Sequence, residues 1–486
     1  MERLISWLFK RLLILISLML IFNTCTDGTE TAGKEDEVLD ITVFILNQRH
    51  QLHEEKAINL ARTLMNKAEK LPQMSVTAIV GSMSLRHLPY STFFPLLSEL
   101  EYFEKRRRSD WYVVVDEFVS IDLGNLLTLL TNKSSSWFIG RALSDSGPSM
   151  IHHYARPSDV PRYPDTRAGF ILAGAAIRHA ASKYDEKEYA HDHQFSIDPA
   201  YEFAKWLLDV AAIELEDSTA FCIATPDVLD DGSGDTKHCA VVAHPPYVCQ
   251  PDDTATPYSI GLHVAVKTHS GNHKTRLPVL RETWLPQATS YTLYSDVTDV
   301  SEDVVWSRVN NTERGHCAKT LSIMQLSLQD PRPWHWLLIV DDDTLVSLPR
   351  LSSLLSCYSS GDPIAAGEVY GYRGSYYGLL PYPTGGSGML FSRPMVRDIT
   401  SSRKCRCNAA DEPDDMMLGM CIYSGLDHPL LHFRDMHQAT PGSYSAGRLY
   451  GSLALSFHSF WLIDPVLEYD RWLHQAPHHA TLHQEL

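Results

Sequence analysis

Three consecutive carboxylates, Asp341, Asp342 and Asp343, are the residues whose types and spacing point most directly to chemistry. They follow the apolar run 336–340, which predicts a strand buried on both faces, and α/β sheets place ligand sites at the carboxyl ends of such strands. Because side chains of an extended segment alternate faces, Asp341 and Asp343 can share a divalent cation that also takes phosphate oxygens. Asp342 would then face elsewhere. A plain acidic turn is the alternative interpretation of an isolated triplet.

The elements around the triplet repeat an earlier part of the chain. Residues 111–126 align without a gap on residues 336–351, each an apolar strand, an acidic cluster and a leucine-rich helix. Strands alternating with helices predict a mostly parallel sheet in each half, and a repeat of whole-domain length indicates duplication. We therefore predict an α/β protein with a first domain over 29–225, a polar, Gly- and Pro-punctuated linker over 226–258 and a second domain over 259–482.

The two predicted copies differ where the chemistry would lie. The alignment places Phe118 opposite Asp343, and a phenyl ring cannot ligate a metal. We therefore expect the first domain to be catalytically silent.

Length and charge limit the classes of function. A chain of 486 residues with 44% hydrophobic residues exceeds what one core usually organises, which favours two domains. A net charge of -17 argues against nucleic-acid binding, which needs an excess of Lys and Arg. An acidic protein that handles an anionic substrate must concentrate a cation locally, and a bound metal would supply it.

Both termini carry targeting signals. Residues 1–28 place basic residues before the apolar core 12–22, which predicts a signal peptide, with an uncleaved membrane anchor as the alternative. The last four residues, His483-Gln484-Glu485-Leu486, resemble the Lys/His-Asp-Glu-Leu retrieval signal, an address read by a receptor. The sequence therefore predicts the endoplasmic reticulum lumen, with the retrieval receptor as a partner.

The cysteines fit an oxidising compartment. There are nine, and removing Cys25 with the signal leaves eight, an even set that predicts disulfides of unknown connectivity. The Cys-Arg-Cys segment 405–407 is too tight for a zinc site of the usual spacing and has no second pair. Sequons at Asn132 and Asn310 allow glycosylation.

A series of motifs runs in order through the second half of the chain. They are Lys267-Thr268, Arg281-Glu282-Thr283-Trp284, Gly315-His316-Cys317-Ala318-Lys319-Thr320, Asp341-Asp342-Asp343-Thr344, Gly367-Glu368-Val369-Tyr370-Gly371-Tyr372, Thr384-Gly385-Gly386-Ser387-Gly388-Met389, Cys405-Arg406-Cys407, Pro413-Asp414-Asp415-Met416 and Ser456-Phe457-His458. Together they resemble the Fringe-type family of inverting β-1,3-glycosyltransferases over about residues 258–470. The resemblance implies two tandem GT-A-like (Rossmann-like) domains, the second catalytic.

The same resemblance implies a substrate pair. It favours the branch that moves glucose from UDP-glucose, in β-1,3 linkage, onto O-linked fucose of thrombospondin type-1 repeats. A related galactosyl- or N-acetylglucosaminyltransferase is one alternative. A non-catalytic lumenal lectin or chaperone is the other, against which the second half keeps a full acidic triplet and a candidate base.

A metal site is expected because a nucleotide diphosphate leaves with negative charge that a cation must stabilise. Mn²⁺ (or Mg²⁺) held by carboxylates supplies that cation, with Asp343 as the first expected ligand and Asp341 as the second. The resemblance adds a histidine near the C-terminus, best matched by His458 and less well by His432. A buried structural histidine is the alternative for either.

The donor-binding residues expected from the resemblance are Lys267, Thr268, Arg276, Lys319, Asp341, Asp342, Gly386 and Ser387. Lys267, Thr268 and Arg276 follow the first strand of the second domain, where a solvated basic turn is the alternative. Gly386 and Ser387 lie in a Gly-rich segment whose backbone can approach a sugar or acceptor closely, with a plain turn as the alternative.

Inversion by direct displacement needs one base to take the proton of the acceptor hydroxyl. Asp415 matches the base position of the family. Asp414 is the alternative base, or it caps a helix predicted over 416–423.

Overall fold

Two mixed β-sheets with the same strand order organise the chain. The computed structural model describes residues 38–81, 94–133, 135–184, 195–224, 236–245, 260–374 and 378–474. The predicted signal segment and the C-terminal tetrapeptide lie outside these residues. Among the helices that the structure describes, none is long and apolar enough to cross a membrane.

The first half contains one of the two sheets and several shorter strands. The strands of this half are β1 (Leu39–Leu46), β2 (Met74–Val80), β3 (Trp111–Asp116), β4 (Val119–Ile121), β5 (Phe138–Gly140), β6 (Ala142–Leu143), β7 (Tyr163–Pro164), β8 (Phe170–Ala173), β9 (Phe195–Ser196), β10 (Glu216–Asp217), β11 (Phe221–Ile223) and β12 (Val241–Ala243). Its helices are α1 (Gln51–Ala68), α2 (Phe94–Arg106), α3 (Leu123–Asn132), α4 (Gly174–Ala181) and α5 (Pro199–Ala211).

The second half contains the other sheet. Its strands are β13 (Leu262–Lys267), β14 (Tyr291–Ser295), β15 (Val304–Trp306), β16 (Trp336–Asp341), β17 (Leu345–Val346), β18 (Ala365–Gly367), β19 (Val369–Gly374), β20 (Gly378–Pro383), β21 (Met389–Ser392), β22 (Leu430–His432) and β23 (Ser456–Phe457). Its helices are α6 (Leu277–Glu282), α7 (Cys317–Gln329), α8 (Leu348–Leu355), α9 (Arg393–Ser401), α10 (Asp414–Met420), α11 (Ala446–Leu449) and α12 (Pro465–Trp472).

The two sheets share one topology. The first runs β2-β1-β3-β8-β5-β10, and the second runs β14-β13-β16-β21-β18-β22 with β15 added at its edge. Each neighbouring pair in one sheet has a counterpart of the same direction in the other, and only β8 and β21 run antiparallel to both neighbours. This agreement supports duplication and confirms the expectation of mixed α/β halves with mostly parallel pairing.

The gap-free alignment holds at the level of single residues. Helices α3 and α8 begin at Leu123 and Leu348, which the alignment makes equivalent. Outside that alignment, Gly169 and Gly388 each immediately precede the topologically equivalent antiparallel strands β8 and β21, with φ of +76° and +96°, a conformation that only glycine adopts easily. A Cβ at Gly169 would lie 2.3 Å from the carbonyl oxygen of Val114.

The strand before the acidic triplet is central and buried. Trp336 to Val340 are all buried, because β16 pairs with β13 on one side and β21 on the other and helices cover both faces. Trp284, fully buried, donates its ring N–H to the carbonyl of Thr344 at 3.0 Å. This bond fixes the turn that carries the triplet.

Two boundaries differ from their predictions. The range 226–258, expected to be a linker, contains β12, which pairs with β4 and β11 because its apolar side chains complete the core of the first half. The helix expected over 416–423 begins two residues earlier, at Asp414, and ends at Met420 before a π-helical turn.

The expected disulfides are confirmed for the cysteines that the structure describes. Bonds join Cys222 to Cys239, Cys317 to Cys407 and Cys405 to Cys421, and Cys357 is also disulfide-bonded. The two bonds that involve 405–407 tie the segment before α10 to the first turn of α7 and to the turn after α10. They restrain the helix that carries Asp414 and Asp415.

Candidate active site

The acidic triplet lies at the carboxyl edge of the second sheet. β16 ends at Asp341, and Lys267 is its register partner at the end of the neighbouring strand β13. Parallel strands bring their carboxyl ends to one edge, which is where the sheet order places a crevice. The candidate residues of the triplet and of β13 therefore lie together at the edge that the sequence indicated.

Asp341, Asp343 and His458 form a group that can hold a metal ion, with one ligand atom from each within 4.8 Å of the others. His458 Nε2 lies 3.1 Å from Asp343 Oδ1 and 3.9 Å from Asp341 Oδ2. Two carboxylates and an imidazole form a donor set that suits Mn²⁺ or Mg²⁺. The residues present therefore fit the expected metal.

The ring of His458 is oriented by its second nitrogen. Nδ1 lies 3.0 Å from the carbonyl oxygen of Gln438, and when it donates its proton there Nε2 is left free to face the carboxylates. The main-chain N–H of Gln438 donates in turn to the buried Glu368 at 2.6 Å. Burial raises the pKa of Glu368 to about 7. A chain of contacts thus sets the tautomer that a metal needs.

Asp342 is not part of this group, but the predicted alternation is not the reason, because β16 ends at Asp341 and both Asp342 and Asp343 lie in the turn that follows it. The carboxylate of Asp342 accepts hydrogen bonds from Thr268 Oγ1 at 2.7 Å, Asn272 Nδ2 at 2.9 Å and Arg276 Nη1 at 2.6 Å. Arg276 Nη1 also lies 3.2 Å from Asp343 Oδ2. Thr268 and Arg276 therefore join the triplet, and the guanidinium adds positive charge beside the metal group.

Lys267 joins the triplet to the helix that carries the candidate base. Its Nζ, almost fully buried, lies 3.0 Å from Asp341 Oδ1 and 2.8 Å from Asp414 Oδ2. Burial alone would lower the pKa of Lys267, but the two carboxylates raise it above its ordinary value. Lys267 is therefore a permanent cation.

Lys319 lies beside that cation. Its Nζ donates to the carbonyl of Thr268, and burial followed by the charge of Lys267 lowers its pKa to about 8. The four candidate donor-binding residues Lys267, Thr268, Arg276 and Lys319 thus lie at one edge of the sheet, where each contacts other groups of the protein.

The structure separates the roles of Asp414 and Asp415. Asp414 is buried, accepts from Thr320 Oγ1 at 2.5 Å and pairs with Lys267, which holds its pKa below the ordinary value against the effect of burial. It makes no capping bond, since α10 has no side-chain cap. Asp415 accepts the main-chain N–H groups of Met416 at 2.7 Å and of Gly385 at 3.4 Å. Burial and the charge of Asp414 raise its pKa to about 6, which suits a base.

The glycine-rich segment 385–388 packs against the imidazole of His458. A Cβ at Gly386 would lie 2.4 Å from Nδ1 of His458, so only glycine allows the imidazole to take this place. Ser387 is fully buried, and its hydroxyl bonds within the segment, to Thr384 and to main-chain groups. Gly386 and Ser387 therefore position the metal group, and the expected contact of either with a donor stays a prediction.

A family model described as Fringe-like matches residues 259–478, the half of the chain that contains this site. Over 486 residues the chain is 35% identical to the beta-1,3-glucosyltransferase of Homo sapiens, which covers 95% of this chain and 93% of that protein. The chain belongs to the β-1,3-glucosyltransferase family. The mouse protein of the same name is 35% identical over 91% of this chain and 88% of its own length. The Fringe glycosyltransferase of Drosophila melanogaster is 27% identical over 42% of this chain and 53% of its own length.

Membership makes the protein a β-1,3-glycosyltransferase, and the Fringe-like match lies over the half of the chain that contains the acidic triplet. The first half repeats the sheet topology of the second, but its described residues at the positions of the candidate metal ligands are different. In the first half, Phe118 occupies the position equivalent to Asp343. Ala243, in β12, occupies the position equivalent to His458, which follows β23. Asp116, the counterpart of Asp341, instead bonds to Arg434 Nη1 at 2.8 Å.

His432 lies in β22, away from the triplet. Its Nδ1 accepts the main-chain N–H of Val369 at 3.0 Å, and burial lowers its pKa to about 3. Of the two candidate histidines, the structure therefore brings only His458 to the carboxylates.

Some residues of the site were missed by sequence reasoning. They are Asn272, Thr320, Glu368 and Gln438. Thr320 and Glu368 lie within motifs that carry the family resemblance, and that position could have identified them as candidates. Nothing in the local pattern around Asn272 or Gln438 indicates that either reaches the site.

Proposed function

We propose that this protein is a metal-dependent inverting glycosyltransferase that moves glucose from UDP-glucose, in β-1,3 linkage, onto O-linked fucose of thrombospondin type-1 repeats in the endoplasmic reticulum lumen. One observation carries the proposal. Gly385 donates its main-chain N–H to Asp415, and the next residue, Gly386, packs against His458. Two adjacent residues thus join the candidate base to the candidate metal group.

The chemistry follows from these positions. Asp341, Asp343 and His458 would hold Mn²⁺ (or Mg²⁺), which when bound stabilises the charge on the departing diphosphate. Asp415 takes the proton of the acceptor hydroxyl as that oxygen attacks the anomeric carbon opposite the UDP. A single base suffices for inversion by direct displacement.

The cationic side chains serve the donor. Lys267, Arg276 and Lys319 concentrate positive charge at this edge of a protein whose net charge is -17. Lys267 pairs with Asp341 and Asp414 and Arg276 pairs with Asp342 and Asp343, whereas Lys319 donates to the carbonyl of Thr268. They offset the carboxylates and favour an anionic donor at a site that would otherwise repel it.

The organisation of the chain supports the rest of the proposal. The repeated sheet topology fits two tandem GT-A-like domains, the first without catalysis. The N-terminal apolar segment, as signal or membrane anchor, and the terminal His-Gln-Glu-Leu support a lumenal location and a retrieval receptor as partner.

The glucose donor is favoured over N-acetylglucosamine by the extent of the likeness. Two relatives named beta-1,3-glucosyltransferase align over 95% and 91% of this chain, whereas Xenopus laevis lunatic fringe, a beta-1,3-N-acetylglucosaminyltransferase, aligns over 40%. The likeness to the glucosyl-transferring proteins therefore extends across both halves.

The test is turnover of a panel of UDP-sugars with an O-fucosylated repeat and Mn²⁺. We expect transfer from UDP-glucose, a product with a β-1,3 bond, and loss of turnover in excess chelator. Preference for UDP-galactose or UDP-N-acetylglucosamine would correct the donor. Binding of the repeat without transfer from any UDP-sugar would make the protein a lectin.

A further inference from the structure

We propose that the three-stranded sheet β9-β19-β20, built from both halves, is the docking surface for the polypeptide of the acceptor, with Phe195 and Tyr372 as its aromatic contact. The proposal rests on the proposed function for the chemical class of the acceptor, a folded protein that carries one sugar. It gives the silent half a part in acceptor recognition.

The sheet joins the two halves by main-chain pairing. β19 and β20 form an antiparallel hairpin in the second half. β9, from the first half, adds to the free side of β19, with Ser196 opposite Gly371 and Phe195 opposite Tyr372. The order is therefore β20-β19-β9, with the contribution of the first half at the outer edge.

This sheet is continuous with the catalytic base. β20 ends at Pro383, and two residues later Gly385 donates its N–H to Asp415. The hairpin also packs on the base helix, because a Cβ at Gly419 of α10 would lie 2.4 Å from the carbonyl oxygen of Pro381. A ligand held by the hairpin is thus held relative to the base.

The distance between Tyr372 and the candidate base Asp415 indicates which part of the acceptor would contact the hairpin. Tyr372 pairs with Leu380, five residues before Gly385, and the three steps of this path that lie in β20 alone correspond to roughly 10 Å at the strand rise. A single sugar ring whose hydroxyl meets Asp415 does not extend that far. What reaches Tyr372 and Phe195 is the protein to which the sugar is attached.

The outer strand is held firmly by its own half. Glu202 of α5, buried, accepts from Ser196 Oγ at 2.6 Å and from the main-chain N–H of Ile197 at 2.7 Å. The side chain of Phe195 is nevertheless 41% exposed, and its ring centroid lies 5.2 Å from that of Tyr372. An exposed ring packed beside a half-buried one, on paired strands, is the kind of feature that interfaces with proteins use, since rigid rings bury much area at low entropic cost.

The experiment compares two acceptors in the full-length enzyme. One is an O-fucosylated thrombospondin type-1 repeat, and the other is p-nitrophenyl α-L-fucoside, which offers the sugar without a polypeptide. The variants are Phe195→Ala and Tyr372→Ala. The control is Tyr102→Ala, which removes another exposed ring of the first half, 45% exposed, from helix α2.

We expect each of the two variants to raise KM for the repeat by roughly 5- to 30-fold, the effect of losing an aromatic contact at an interface. KM for the fucoside and for UDP-glucose, and kcat with the fucoside, should stay within twofold. Tyr102→Ala should match the parent with both acceptors. Phe195→Tyr, which keeps a ring, should retain most of the affinity for the repeat.

Two results would overturn the proposal. One is an unchanged KM for the repeat in both variants. The other is an equal loss with repeat and fucoside, which would mean that the rings support the catalytic half and do not bind polypeptide. Thermal unfolding of each variant identifies loss of fold. Absence of transfer by the parent enzyme to either acceptor would instead refute the proposed function.

Discussion

Gly386 and His458 are in such close contact that a Cβ built on the glycine would lie 2.4 Å from Nδ1 of the imidazole. The glycine therefore sets how far the histidine can approach Asp341 and Asp343. Its neighbour Gly385 has no such constraint, since a Cβ there would meet only Asp415 Oδ2, at 3.9 Å. A methyl group at Gly386 would therefore displace the imidazole of His458, whereas one at Gly385 would displace nothing.

Gly386→Ala should weaken the apparent affinity for Mn²⁺ by roughly 10- to 100-fold, because the ring of His458 must move out of line with the carboxylates. Gly385→Ala is the matched control and should change that affinity little. Mn²⁺ titration of activity and of metal binding, both at saturating UDP-glucose, checks this. Equal metal affinity in the two variants would show that His458 is not a ligand.

Asp343→Ala should leave the protein folded and abolish transfer, since it removes a carboxylate that pairs with His458 and Arg276. Excess chelator should inactivate the parent enzyme, and added Mn²⁺ should restore it. Circular dichroism and turnover measure the two effects. Full activity in excess chelator would refute the assignment of these residues as a metal site.

Asp415→Asn should lower kcat by roughly 10²- to 10⁴-fold and leave both KM values within a few-fold, because a base acts only in the transition state. Asp414→Asn should act mainly on stability, since it leaves Lys267 buried with one carboxylate partner in place of two. Steady-state kinetics and thermal unfolding separate the two. A collapse of acceptor binding in Asp415→Asn would make that residue a ligand contact.

The pH profile should report Asp415. Burial and the charge of Asp414 raise its pKa from 3.8 to about 6, so kcat at saturating metal should fall about tenfold per pH unit below pH 6. The sign for stability is opposite to that of an ion-paired carboxylate. Because the folded pKa is raised, the fold loses stability as the pH rises from about 4 to about 6 and stays destabilised above, so Asp415→Asn should raise the Tm at pH 7.5 but not at pH 4. A flat kcat from pH 7 to pH 5 would contradict the assignment.

Arg434→Met should destabilise the protein by about 3 to 5 kcal/mol, because it leaves Asp116 buried without the guanidinium that lies 2.8 Å away. The double variant with Asp116→Asn should recover part of that loss. Neither residue belongs to the catalytic group, so kcat per folded molecule should be unchanged in both. Chemical denaturation and active-site titration check the two statements. A lower kcat in the folded double variant would give the first half a catalytic part.

The sequence determined the features that follow from local pattern and from resemblance. The apolar run before Asp341 predicted the buried strand that the structure contains, and Asp341 and Asp343 do lie together as predicted, although a turn brings them there and not the alternation of an extended segment. The gap-free repeat predicted equivalent helices at Leu123 and Leu348. Each of these depends on residues close in the chain, whose geometry the backbone fixes.

Only the tertiary structure decided the contacts between distant segments. Asp414 could not be told from Asp415 by position, and the pairing of Lys267 with Asp414 across 147 residues distinguishes them. Likewise β23 carries His458 to the triplet, while His432 lies on a strand at the far edge of the sheet. The pairing of β9 with β19 also had no signal in the sequence. Two strands far apart in the chain pair only when the fold brings their edges together, and no local sequence pattern indicates which edges will meet.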